Sequence, residues 1–204
     1  MQFDYSTTLI LFGRSPYINE IKEDIPTLIS KWHTMGCNYF CETFPQVEYC
    51  VFNDEISPKV APSTTIVSNV EYYKDPRRHN NLLCRQHPKK QLYVINKSRD
   101  MYEGFAKSKH KLNFYLHTPS IALNWAWKNE FKTVILAGID LNINAMQHFD
   151  ANSTPDRDAC NFKEYTCINA RKYLTEVCTK YLDIYQLNPN SDIELPKVNI
   201  KDLL

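Results

Sequence analysis

Along the chain, short runs with no polar interruption alternate with stretches in which apolar residues recur every three or four positions. Residues 7–12, "TTLILF", form the first such run and end at Gly13. Beyond it, "RSPYINEIKEDIPTLISKW" has helical character, with Pro26 breaking or restarting the helix. "HTMGCNYF" and "VEYCVFND" predict two further short strands, each delivering a polar residue at its end, Asn38 and then Asn53 or Asp54. "STTIVS" and "QLYVIN" predict two more. "TPSIALNWAWKNE" is signalled as a helix, with Thr118 as N-cap, Pro119 in its first turn and Ile121, Trp125 and Ala126 on one face. Residues 134–137, "VILA", do not alternate with polar residues, as expected of a strand buried on both faces. A last helix is predicted over 168–181, from the helical spacing of Ala170, Tyr173, Leu174, Val177 and Tyr181, followed by the strand "DIYQLN".

Strand, helix and strand repeated in this order predict an α/β fold: a Rossmann-like, mostly parallel, doubly wound sheet. In such sheets ligands bind beyond the carboxyl ends of the strands. This draws attention to the residues that follow each run: Gly13, Arg14 and Ser15, Asn38, Asn53, and Gly138 with Asp140. The turn "FGRSPY" lies where backbone N–H groups and a helix N-terminus favour a phosphate, and Arg14 adds a charge. It is neither a dinucleotide fingerprint nor a Walker loop, since Gly13 is its sole glycine and no Gly-Lys pair follows. A mononucleotide or sugar nucleotide fits it better than NAD or ATP.

Composition narrows the class. The 204 residues suit one domain spanning 1–204, and 24 Lys and Arg against 23 Asp and Glu leave no global field to select a polyanion. The charge is local instead. Between residues 71 and 111, eleven Lys and Arg face four acids, with His79, His87, His110 and several tyrosines among them. The segment is expected to be a basic insertion or lid, able to meet phosphates or DNA. Seven scattered cysteines show no zinc spacing, as expected of reduced, mostly buried thiols. The opening "MQFDYSTTLILF" has no basic leader and too short an apolar run to span a membrane, so a cytoplasmic location without a membrane span is expected.

"LILFGRSPYINEI", "MGCNYF", "TPSIALNWAWKNEFKTVILAGIDLN" and "INARKYLTEVCTKYLDIYQLNPNS", in this order, resemble the bacterial lipooligosaccharide sialyltransferases, glycosyltransferase family 42. The resemblance covers most of the chain apart from its basic middle. It implies a metal-independent glycosyltransferase, without a cofactor, that takes a sugar from a nucleotide-activated donor of CMP-sugar type to an acceptor hydroxyl on a glycan. It assigns nucleotide binding to Gly13, Ser15, Asn38, Asn53, Thr118, Ser120, Gly138 and Asp140. Asp140 would accept hydrogen bonds from the base or ribose.

The chain also departs from that family. Arg14, Ser15 and Tyr17 replace its turn Asn, second Gly and Ser, which points to another nucleotide or an altered phosphate grip. Phe162 stands at the place of its general-base histidine, and Asn142 at that of its phosphate-binding tyrosine. His148 is then the candidate base, with Asp150 to orient it and Asp156 and Asp158 as further carboxylates. The Asp-x-Asp spacing of the last two also suits a divalent ion, but it falls in a polar loop, and the metal-free reaction is preferred. The alternatives are a nucleotide- or nucleic-acid-binding protein on the same fold that lacks transferase chemistry, and a sugar transferase acting on DNA.

Overall fold

The computed structural model describes residues 2–53, 58–71, 85–142 and 164–204. Its centre is one sheet of eight strands, every neighbouring pair parallel. In chain order these are β1 (Thr8–Phe12), β2 (His33–Cys37), β3 (Tyr49–Val51), β4 (Thr65–Asn69), β5 (Lys90–Lys97), β6 (Lys111–Phe114), β7 (Thr133–Ala137) and β8 (Asp183–Gln186). Across the sheet the order is β6-β5-β4-β3-β2-β1-β7-β8. The chain therefore walks outward from β1 to β6, then returns to lay β7 on the other side of β1. The predicted α/β, Rossmann-like, doubly wound architecture is the observed one.

Side chains alternate across β1, so one strand feeds two cores. Leu9 and Leu11 face a cluster with Met35, Val134 and Leu136, covered by Ile121, Ala122 and Trp125 of the helix Thr118–Lys128. Ile10 and Phe12 face the opposite cluster, with Ile135 and Ala137. That side is covered by Ile18 of α1 (Tyr17–Glu20), Ile25 and Leu28 of α2 (Ile25–Lys31) and Phe40 of α3 (Phe40–Thr43). The long helix is α4. All four residues 134–137 are fully buried, as their unbroken apolar run requires.

Several elements differ from expectation. The stretch after Gly13 is two short helices, and Pro26 sits in the first turn of α2, where its missing N–H costs no hydrogen bond. The N-cap of α4 is His117, not Thr118; the His117 side chain accepts from the Ser120 N–H. The last predicted helix is α5 (Glu164–Lys172), then a π-helical turn (Tyr173–Val177) and a 3-10 turn (Cys178–Lys180). Within the segment 71–111, residues 90–97 form β5 and Lys111 opens β6, an edge strand the apolar pattern does not announce. Residues 72–84 of that segment lie outside the described residues. Cys37, Cys41, Cys50, Cys167 and Cys178 are free and buried. No helix among the described residues is long and apolar enough to cross a membrane.

Candidate active site at the strand-order reversal

Sequence order reverses between β1 and β7, so the connections leaving these neighbours diverge to opposite sides and open a crevice at their carboxyl ends. The two turns that form its floor touch. Gly13 N donates to Ala137 O at 2.8 Å and Ser15 N to Gly138 O at 2.9 Å. A Cβ on Gly13 would stand 2.3 Å from Gly138 O, and Gly138 has φ +70 with Ile18 against it. Both glycines are thus needed for the close crossing of the two turns. The N–H groups of Gly13 and Ser15, expected to face a phosphate, are instead committed to the end of β7 and to Gly138 just beyond it. A four-residue α1 also adds little dipole. The charged group of this turn is the Arg14 guanidinium, buried with its carbon 5.3 Å from the centre of the Tyr39 ring.

Asp140 is the most constrained group in the crevice. It is 7% exposed, its Oδ2 accepts from the Ser15 hydroxyl, and its Oδ1 has no hydrogen-bond partner of acceptable geometry among the described residues. Burial holds its carboxyl above the usual carboxylate range, opposed by the Ser15 hydroxyl, Asn188 and Lys197 and reinforced by Asp192. A half-satisfied buried carboxylate is costly to the fold and ready to accept a ligand's N–H or O–H.

The backbone around Asp140 is fixed from behind. Gln186 Nε2 donates to Ile139 O at 3.0 Å. Arg171 donates to Leu141 O through Nε and Nη2, at 3.2 and 2.8 Å, with Nη2 also 3.1 Å from Asp192. Leu141 has a positive φ of 50, so this clamp holds a conformation a leucine rarely adopts.

The neighbouring strand ends continue the line. Asn38, following β2, has φ 53; its N–H donates to Val51 O and its Oδ1 is buried without a partner. Asn tolerates this left-handed conformation, so its place in the turn has a backbone cause as well as a chemical one. Asn53, following β3, is buried and accepts from Asn69 Nδ2 at 3.5 Å at the end of β4. At the α4 N-terminus, Thr118 is buried in the first turn. Ser120 is fully buried, its hydroxyl donating to His117 O and accepting from Tyr115 N, so it serves the cap.

His117 itself was not singled out by the sequence. Burial lowers its pKa to about 4, which keeps the ring neutral, with Nδ1 accepting from Ser120 N and the proton on Nε2. The ring serves the N-terminus of α4 as an acceptor, and its Nε2 is buried. Asn188 and Arg171 were also missed, although Asn188 ends the strand run "DIYQLN" in the same way that Asn38 and Asn53 end theirs. His148, Asp150, Asp156, Asp158 and Phe162 lie outside the described residues.

No protein-family model and no curated protein matches the sequence. Among solved structures, the chain is similar to the MAf glycosyltransferase from Magnetospirillum magneticum AMB-1, with a TM-score of 0.61 and 12% sequence identity. The similarity covers 96% of this chain and 34% of that one, so the chain spans about a third of the length of that enzyme. At this identity it is the fold that is shared: the chain has a glycosyltransferase-like fold.

Proposed function

We propose that this chain is a sialyltransferase-like glycosyltransferase that moves a sugar from a nucleotide-activated donor of CMP-sugar type to an acceptor hydroxyl without a metal ion. The observation that carries the reading is the gathering of Arg14, Ser15, Asn38, Asn53 and Asp140 at adjacent strand ends around the β1/β7 reversal. The glycosyltransferase-like fold supports it, as does the ordered resemblance of the strand-end motifs to glycosyltransferase family 42.

In the reaction the acceptor oxygen attacks the anomeric carbon, the bond from that carbon to the phosphate oxygen breaks, and the nucleotide leaves with the electron pair. Asp140 Oδ1 accepts from the base or ribose of the donor. Arg14 stabilises the departing phosphate, a charge effect that strengthens where water is excluded. His148 removes the acceptor proton and Asp150 orients the imidazole. His148→Ala should leave donor affinity nearly intact and lower turnover about a hundredfold or more. The wild-type rate should fall as pH drops through the ordinary histidine range, about 6 to 7. Transfer by His148→Ala at the wild-type rate would move the base to Asp156 or Asp158.

Donor binding is tested separately. Asn38→Ala and Asp140→Asn should each weaken nucleotide binding by roughly 1 to 3 kcal/mol, read by calorimetry. Because burial raises the Asp140 pKa, its charge opposes folding above the normal aspartate range, and protonation in acid relieves that cost. Asp140→Asn should therefore be at least as stable as wild type at neutral pH while binding worse. Unchanged affinity in both variants would remove the site.

The departure at Phe162 favours a second reading, a nucleotide-binding protein without transfer. Tight nucleotide binding with no release of nucleotide from any activated sugar would select it.

A further inference from the structure

A second concavity lies at the opposite, amino-terminal end of the sheet. The first half of β5 pairs with β4 (Ile66 with Lys90 through Asn69 with Tyr93), and the second half pairs with β6 (Val94 with Lys111 through Lys97 with Phe114). The registers do not overlap, so along residues 91–93 the β6 side of β5 has no strand beside it among the described residues. The notch is a pocket of about 680 Å³, closed by the loop leading into β6 and by the last turn of α4. Lys107, Lys109, His110 and Lys128 line it together with Tyr93 and Trp127, and Glu130 is the carboxylate among the lining residues.

The loop that carries these cations is fastened. Fully buried Asn124 of α4 accepts through Oδ1 from Ala106 N at 2.9 Å and from Asn113 N at 2.8 Å, bracketing the loop at both ends. Asn113 Nδ2 also donates to Gly104 O at 2.8 Å. Between these points His110 O accepts from Val94 N at 2.9 Å, and the Lys128 ammonium donates to Ser108 O. Two lysines of a pinned loop and a third from the end of α4 thus line one hollow, with one carboxylate among them. Like charges repel when so gathered, and a bound anion removes the repulsion. Tyr93 and Trp127, which also pack on the core, add aromatic surface to the same hollow, and cations beside aromatic side chains are the combination that holds a phosphate and a ring together.

We infer that this notch is a binding site for a phosphate-bearing ligand with a flat ring, a nucleotide unit, independent of the crevice at the carboxyl ends. The unit comes either from a free nucleotide or from a single strand of nucleic acid. The inference does not depend on transferase activity, since the two sites use different residues at opposite ends of the sheet.

The test is calorimetry and fluorescence anisotropy on the full chain at low salt, with pyrophosphate, a mononucleotide and a labelled single-stranded oligodeoxynucleotide. Wild type is compared with the double variant Lys107→Glu, Lys109→Glu, whose exposed positions leave the core intact, and with Asp140→Asn. The double variant should lose at least tenfold in affinity for the oligonucleotide or for the mononucleotide's second, weaker site, whereas Asp140→Asn keeps it. Tighter binding of the strand, with affinity falling steeply as salt rises, identifies nucleic acid as the source. Equal affinity for strand and mononucleotide identifies the free ligand. Absence of binding to all three probes, equal affinity in the double variant and wild type, or loss in Asp140→Asn alone would overturn the inference. Circular dichroism confirms that the double variant is folded. Should it fail to fold, Trp127→Ala replaces it, with the same tenfold loss expected for the ring-bearing probes and none for pyrophosphate.

Discussion

Val134→Asp should yield no folded protein. Val134 is fully buried in β7, hydrogen-bonded between β1 and β8, and packs in the cluster beneath α4. A carboxylate at this position enters a cluster of leucine, isoleucine and tryptophan side chains. An uncompensated buried charge costs several kcal/mol, comparable with a whole domain's net stability of about 5 to 15 kcal/mol. Val134→Ala, which leaves a small cavity but no charge, should cost only about 1 to 3 kcal/mol and remain folded. The pair is read by far-ultraviolet circular dichroism and urea titration. A cooperative transition in Val134→Asp at the wild-type midpoint would mean that Val134 is not buried in β7 between β1 and β8.

Acid should weaken the fold through His117 before its carboxylates are all titrated. The ring is 5% exposed and its pKa is lowered to about 4 from an ordinary 6.5, burial being the main cause. An unfolded chain takes up the proton near pH 6.5 and the folded chain only near 4, so the contribution is complete above 6.5 and is lost as pH falls toward 4. At 1.36 kcal/mol per pH unit this amounts to roughly 3 kcal/mol. His117→Asn keeps a side-chain acceptor for the Ser120 N–H but does not titrate. Its unfolding free energy should vary less between pH 7 and 4 than that of wild type. Identical pH slopes in the two proteins would show that the ring is protonated without penalty.

The legibility of this fold follows from how strongly each segment depends on its own residues. Residues 9–12 and 134–137 are apolar throughout because both faces of the strand are covered, and that pattern is visible without the partners. β6 was hidden because it is a four-residue edge strand with Asn113 inside it, and Asn113 is satisfied only by Gly104 and Asn124 from elsewhere. The α4 start was read one residue late because threonine is a better generic cap than histidine, and nothing local shows the Ser120 N–H reaching back to an imidazole. The helix over 168–181 fits a 3.6-residue period on average, while the π-helical turn at Tyr173–Val177 and the 3-10 turn after it compensate one another.

In the site, the strand-end logic located Asp140, Asn38 and Asn53 because polar residues directly after buried runs have few other places to be. It gave Gly13 and Ser15 a phosphate role, yet their N–H groups serve the end of β7 and Gly138 just beyond it, since a contact between two turns more than a hundred residues apart leaves no local mark. Arg171 was invisible for the same reason: it is one basic residue on a helix until Leu141 O is brought to it.

The return of the chain from β6 to β7 also sets the order in which the protein is completed during synthesis. Thr8 waits for Thr133 and Phe12 for Ala137, a separation of 125 residues in each case. At about 5 to 20 residues per second, β1 leaves the ribosome some 6 to 25 seconds before its second neighbour is made. Throughout that interval one edge of a strand that is apolar from Leu9 to Phe12 stands open, the configuration that recruits other nascent chains. Slowing elongation between residues 12 and 133 should therefore increase the fraction of the protein lost to aggregates.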